Sequence, residues 1–214
     1  EIHDGRIKKK AEDLWNALSA SGISNTEARQ YRHIYRDCVF LDKTKGEVHI
    51  GEVMEMVLDA FEMVVRAGTL AREPGMRLKV SLVDLKLHED AIHRGPAQVY
   101  PAIREAMRGA IGTSGPVLFE PIQTLLVEAP LSFMGELTKL FQGKRGQIQD
   151  IEQGTGHIAM KVKIPVAETI GLASDVRSST EGRGTFSMVD QSYEKIPTTL
   201  QSNVIRNIRG RKGL

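Results

Sequence analysis

Cysteine is nearly absent from this sequence. Cys38 is the only one, which excludes an internal disulfide framework and a multi-cysteine metal site and fits a reduced, cytoplasmic setting. Aromatic residues make up only 5%, and none stripe a strand beside basic residues. The base-stacking platform of a sequence-reading single-strand binder is therefore missing, and any RNA contact would read shape and phosphate. No apolar run approaches the roughly 18 residues of a membrane helix, so no membrane partner is expected. Formal net charge is small, +2, so composition alone does not announce a nucleic-acid binder. A Gly-x-x-x-x-Gly-Lys-Ser/Thr phosphate loop is lacking, as is a Gly-x-Ser-x-Gly nucleophile elbow. The Ser178-Ser179-Thr180 run has no base to activate it. Neither a methionine nor a secretory signal opens the chain at Glu1, which reads as a cut inside a longer protein.

What is present is the composition of a globular protein, 41% hydrophobic and 26% charged. Two domains of ordinary size fit the length of 214 residues. Basic residues gather in Lys8-Lys9-Lys10, Lys43-Thr44-Lys45, Lys144-Arg145 and a tail holding Arg206, Arg209, Arg211 and Lys212. Residues 6–50 are the least regular part, with a short helix over Ala11–Ala20, the start of another at Asn25-Thr26-Glu27-Ala28 with Asn25 or Thr26 as its N-cap, a short strand at Cys38–Leu41 and a turn at Asp42–Gly46. Val53, Met56, Val57, Ala60, Phe61, Val64 and Val65 follow helical spacing, and Gly68 stops the helix. Met54, Met56 and Met63 read as packing. An apolar run, Leu78–Leu87, reads as a strand that changes parity at Leu82-Val83, so it either bulges or is covered on both faces. A second helix follows, carrying Val99, Ile103, Ala106, Met107 and Ala110, with Pro101 in its first turn. Gly112-Thr113-Ser114-Gly115-Pro116 is linker chemistry, dividing a domain over 1–114 from one over 115–214.

The second half repeats itself with an offset of 35 residues, Val127 against Val162. Each copy is a strand, a proline opening a helix, a glycine-bearing turn and a second strand. Two such copies give β-α-β-β-α-β, a ferredoxin-like split motif, so the fold class is α+β. After Tyr193 the chain reads as irregular.

Between the Leu78–Leu87 strand and the following helix lies Leu87-His88-Glu89-Asp90-Ala91-Ile92-His93-Arg94-Gly95-Pro96. Connections of this kind sit at the surface and often carry function. His88-Glu89 invites comparison with His-Glu-x-x-His metalloproteases, whose two histidines stand four apart on one helix face. Here His88 and His93 are five apart, about 140° around a helix at about 100° per residue. A loop metal site from His88, Asp90 and His93, in a metal-dependent hydrolase, stays open as an alternative. So does a general RNA-binding module. The turns Gly143-Lys144-Arg145-Gly146 and Gly182-Arg183-Gly184 read first as turn chemistry. Phosphate contact is their second reading.

Leu87-His88-Glu89-Asp90-Ala91-Ile92-His93-Arg94-Gly95 closely resembles the diphthamide-bearing loop of the archaeal and eukaryotic translation elongation factor 2 family. Asp42-Lys43-Thr44-Lys45-Gly46, Phe119-Glu120-Pro121-Ile122, Gly143-Lys144-Arg145-Gly146, Ala173-Ser174-Asp175-Val176-Arg177-Ser178 and the ending Arg211-Lys212-Gly213-Leu214 also resemble segments of that family. The short ending is similar to archaeal members. Gly95-Pro96-Ala97 departs from the glycine run of eukaryotic ones, and Pro96 makes this loop stiffer. The resemblance implies most of a fourth domain and all of a fifth, with at least one strand ahead of Glu1. It implies a ribosome-dependent GTPase that translocates tRNA and mRNA, with GTP and Mg2+ held in a domain absent here. This chain would then have no cofactor and no catalytic residue of its own. It further implies that His93 matches the modified histidine. A tip loop of His88, Asp90, Ile92, His93, Arg94 and Gly95 would meet RNA, with Arg94 adding phosphate attraction and Asp90 and His88 shaping the loop. Lys144, Arg145, Arg209, Arg211 and Lys212 would supply phosphate contacts. The implied partners are the ribosome with its RNA and proteins, the tRNA–mRNA duplex and the diphthamide-synthesis enzymes, for a cytoplasmic monomer.

Overall fold

The computed structural model describes residues 11–45 and 50–214. The Lys8-Lys9-Lys10 cluster and Gly46 lie outside the described residues. The chain divides into two compact units, Glu1–Pro116 with Asn203–Leu214, and Val117–Ser202. The change of unit at Pro116 falls in the linker read from the sequence. The grouping of the last residues with the first unit was not expected.

The first unit is layered around a three-stranded sheet. Helix α1 (Ala11–Ala20) ends at Ser21-Gly22, where Gly22 takes φ +90°, a value glycine adopts without strain. Helix α2 (Asn25–Ala28) is capped by Ser24, whose hydroxyl accepts from the Glu27 amide at 3.2 Å. The cap is thus one residue earlier than Asn25. Strand β1 (Tyr31–Tyr35), which sequence periodicity did not indicate, pairs antiparallel with β2 (Cys38–Asp42). Helix α3 (Ile50–Arg66) crosses over to β3 (Lys79–Leu82), which pairs parallel with β2.

Successive strand residues face opposite sides, and β2 shows the consequence. Cys38 and Phe40 pack with Val53, Val57, Ala60, Phe61, Val64 and Val65 of α3. Leu41 faces the other way, onto Leu14 of α1 and Tyr31. Helix α4 (Pro96–Thr113) covers the outer side of α3 through Val99, Ile103 and Met107. Ala106 and Ala110 are exposed, so the buried stripe is narrower than the periodicity implies. Pro101 is the sixth helical residue rather than part of the first turn. It removes the amide that would bond to the Ala97 carbonyl. Both residues are exposed, so water can serve that carbonyl. Met54 and Met56 pack on this core, while Met63 is exposed.

The long Leu78–Leu87 strand is not formed. Regular pairing stops at Leu82, where the parity switch occurs, and Val83 is 68% exposed. The switch marks the end of the strand, not a bulge. Leu85 and Leu87 still lean on the α3–α4 core without a strand partner.

The second unit is the expected β-α-β-β-α-β arrangement. Strands β4 (Phe119–Pro130), β5 (Gln147–Gln153), β6 (His157–Pro165) and β7 (Thr185–Lys195) form an antiparallel sheet in the order β5-β6-β4-β7. A short 3-10 turn follows Pro130 and another follows Pro165, before α5 (Met134–Gly143) and α6 (Leu172–Ser179). Both helices lie on one face. Leu137, Phe141, Leu172 and Val176 bury against Leu125, Val127, Ile158, Met160, Val162 and Ile164. Each such side chain contributes about 1.5–3 kcal/mol on removal from water. The stretch after Tyr193 is not irregular. Strand β7 runs on to Lys195, and α7 (Thr198–Lys212) follows.

Candidate functional site: the loop between β3 and α4

Asp90 organises the tip. Its carboxylate accepts from the Ile92 amide at 3.1 Å and its carbonyl accepts from the His93 amide at 3.1 Å, which starts a 3-10 turn over Ala91–Arg94. A short side-chain acceptor at the first position of a turn satisfies amides that have no partner within it. The Asp90 amide in turn donates to His88 Nδ1 at 3.1 Å, so that nitrogen carries no proton in this arrangement. The His88 and His93 rings meet edge to face with centroids 4.5 Å apart. His88, Glu89, Asp90, Ala91, Ile92 and His93 are all exposed, Ile92 at 75%.

The loop is braced from α3. Arg94 turns inward, with only 9% of its side chain exposed. Its Nη1 meets Glu52 Oε2 at 2.9 Å and its Nη2 donates to the Glu89 carbonyl at 3.0 Å. The expectation that Arg94 adds phosphate attraction therefore meets a guanidinium already held by a carboxylate. Gly95 leads into α4, its carbonyl accepting from the Gln98 and Val99 amides, and Pro96 takes the first helical position, where a missing amide costs nothing. Two turns along α3 from Glu52, Asp59 accepts from the Tyr100 hydroxyl at 3.0 Å. That bond pushes the phenol above its usual range.

His88, Asp90 and His93 do not converge as metal ligands. Asp90 is used as the cap and His88 Nδ1 as an acceptor. Among the described residues no group of three or more His, Cys, Asp or Glu is arranged to hold a metal ion.

The other basic candidates divide into two kinds. Lys144 pairs with Asp175 at 2.8 Å, and Arg145 makes a two-pronged pair with Glu120, one arm at 3.1 Å. Gly146 serves the closure of this turn, since a Cβ there would lie 2.8 Å from the Phe141 carbonyl oxygen. Lys212 donates to the Ala71 and Arg72 carbonyls at 3.1 and 3.0 Å and pairs with Glu73 at 2.6 Å. Arg209 and Arg211 are exposed on α7 and pair with no carboxylate among the described residues. Sequence reasoning missed Glu52 as the brace and missed α7 altogether. For α7 a signal existed in Leu200, Val204 and Ile208, spaced four apart.

Comparison with known proteins adds a family. Residues 4–115 match the model described as Elongation factor G, domain IV, and residues 117–213 match Elongation factor G C-terminus. Elongation factor 2 of Nanoarchaeum equitans is 46% identical over 214 residues, all of this chain and 29% of that relative. The Methanosphaera stadtmanae elongation factor 2 is 41% identical over the whole chain and 29% of its own length. That of Methanopyrus kandleri is 42% identical, with 17% of its length covered. The chain thus spans under a third of the length of these relatives. The fold of both units, the two family matches and the similarity along the entire chain lead to one conclusion: this chain belongs to the family of translation elongation factors G and 2.

Proposed function

We propose that this chain is the ribosome-contacting part of a translational translocase, and that the Ala91–Arg94 turn is the tip it places against the tRNA–mRNA duplex. The supporting observation is the exposed His93 on a turn that is capped by Asp90 and braced from α3. Such a turn holds its tip in place while leaving the imidazole to a partner. His93 is the residue that diphthamide-synthesis enzymes would modify. The modification adds a trimethylammonium and an amide, which supply a fixed positive charge and hydrogen-bonding groups. Contacts of that kind go to phosphates and sugars and carry no sequence information, as a factor acting at every codon requires. GTP and Mg2+ would be bound by a part of the factor beyond this chain, since the sequence has no phosphate loop. The setting is cytoplasmic and the working unit a monomer.

His93→Ala is the test. The side chain is exposed, so melting should stay within about 0.5 kcal/mol of wild type. Translocation by a full-length factor carrying the substitution should slow at least severalfold. Intact mass of the chain from a source with the modifying pathway should show the added group, and fragmentation of the peptide that holds the tip should place it at His93. Translocation at the wild-type rate would overturn the proposal, and so would ribosome-free binding of isolated RNA with equal strength.

A further inference from the structure

We propose that Arg94 is the positioning residue of the tip and makes no phosphate contact itself. The inference deepens the reading above and rests on it for the identity of the partner. Arg94 sits beside His93 and would ordinarily be taken as a cation offered to RNA. Its geometry points the other way. The side chain is 9% exposed, one arm of the guanidinium meets Glu52 on α3, and the other meets the Glu89 carbonyl at the start of the tip. Nε is buried and without a hydrogen-bond partner. The group is therefore closed in by protein on several sides, not pointed at solvent.

Two consequences follow from the fork geometry of arginine. The first is mechanical. Glu89 precedes the Asp90 cap and Arg94 ends the turn, so the Arg94–Glu89 bond closes the tip into a ring of backbone and side chain. The Glu52 pair then fastens that ring to the exposed face of α3, whose other face is buried in the core. A lysine ammonium is a point charge and lacks the fixed pair of arms that spans two acceptors at once. The second is electrostatic. With the Arg94 charge held by Glu52, the stretch from His88 to Gly95 keeps two exposed carboxylates, Glu89 and Asp90, and no unpaired arginine or lysine. Within that stretch the fixed positive charge would come from the trimethylammonium added at position 93, a charge that the sequence does not supply.

The test separates positioning from phosphate binding. In the 214-residue chain, Arg94→Lys should shift the NMR resonances of the Glu89–His93 amides and of the His93 ring. Glu52→Gln, which leaves every tip residue intact, should shift the same resonances and serves if Arg94 variants fail to fold. In a full-length factor, Arg94→Lys and Arg94→Ala should both lower ribosome affinity three- to tenfold. The slope of log affinity against log salt should stay at the wild-type value in both. Loss of a phosphate contact instead lowers that slope by about 0.7–0.9. Arg209→Ala, which lies outside the loop, should show that drop with no shift at the tip. A slope reduced by about that amount in Arg94→Ala would overturn the proposal. Unchanged tip resonances in both Arg94→Lys and Glu52→Gln would also overturn it. If the tip resonances move while affinity is unaffected in these variants and in His93→Ala, positioning stands and the proposed RNA contact falls.

Discussion

At the scale of single residues, the same few side-chain types serve opposite ends, and only their partners decide which. Asp42 and Asp90 both follow apolar segments, and both accept from an amide two residues on. Asp42 is tied down further, by the Thr44 hydroxyl at 2.6 Å and by Arg32 at 3.1 Å. Burial pushes its carboxyl up, but the Thr44 bonds and the Arg32 pair outweigh this and hold it below the usual carboxylate range. A folded-state value below the unfolded one gives stability that is present at neutral pH and lost as pH falls through the folded value. Thermal melts should therefore show the wild type losing stability from about pH 5 downward. Asp42→Asn should cost about 1.5–3 kcal/mol at neutral pH, the range for hydrogen bonds to a charged group, and should flatten that acid limb. An acid limb identical to wild type would contradict the assignment. The turn at Asp42 and the loop-shaping role of Asp90 were legible in the sequence, because short carboxylates bond to local amides wherever the chain turns. The inward direction of Arg94 was not legible, because Glu52 lies 42 residues away and nothing local couples them.

Elements show a different balance. Helices α3 and α4, strand β2 and the four strands of the second unit follow from apolar spacing. In α3, β4 and β6 the periodic apolar residues supply the buried face, whereas no residue of β5 or β7 is buried. Strand β1 and helix α7 do not follow so directly. Mean hydropathy along α7 is low and none of its residues is buried. Its start depends on a side chain whose partners lie elsewhere. Gln201 Oε1 accepts from the Leu118 amide at 2.9 Å, while Nε2 donates to the Leu118 carbonyl at 3.2 Å and to the Ile196 carbonyl at 2.9 Å. Gln201→Ala should leave these backbone groups without partners and cost about 1–3 kcal/mol, measured by urea unfolding. Gln201→Glu keeps the acceptor and loses both donors, so it should be destabilised as well. A Gln201→Ala variant as stable as wild type would show that α7 is held by other means. The Leu78–Leu87 run teaches the converse lesson. Ten residues with apolar character do not make ten residues of strand, because pairing needs a neighbour and β2 ends at Asp42, opposite Leu82.

For the whole molecule, net charge says little and placement says more. The formal charge is +2, yet Lys144, Arg145, Arg94 and Lys212 are each matched by a carboxylate of this chain. Among the phosphate candidates named from the sequence, Arg209 and Arg211 pair with no carboxylate among the described residues. Their double replacement by alanine should lower the salt slope of ribosome affinity by about 1.4–1.8, twice the value for one phosphate, with little change in folding stability. An unchanged slope would place the phosphate contacts elsewhere. By itself the sequence determined the α+β class, the split β-α-β-β-α-β unit and the tip loop, because these rest on apolar periodicity and local turn chemistry that neighbouring residues carry. The tertiary structure alone decided which of the basic candidates are paired. That outcome depends on carboxylates distant in sequence, Glu52, Glu73, Glu120 and Asp175, and an ion pair forms only where the fold brings two such groups within reach.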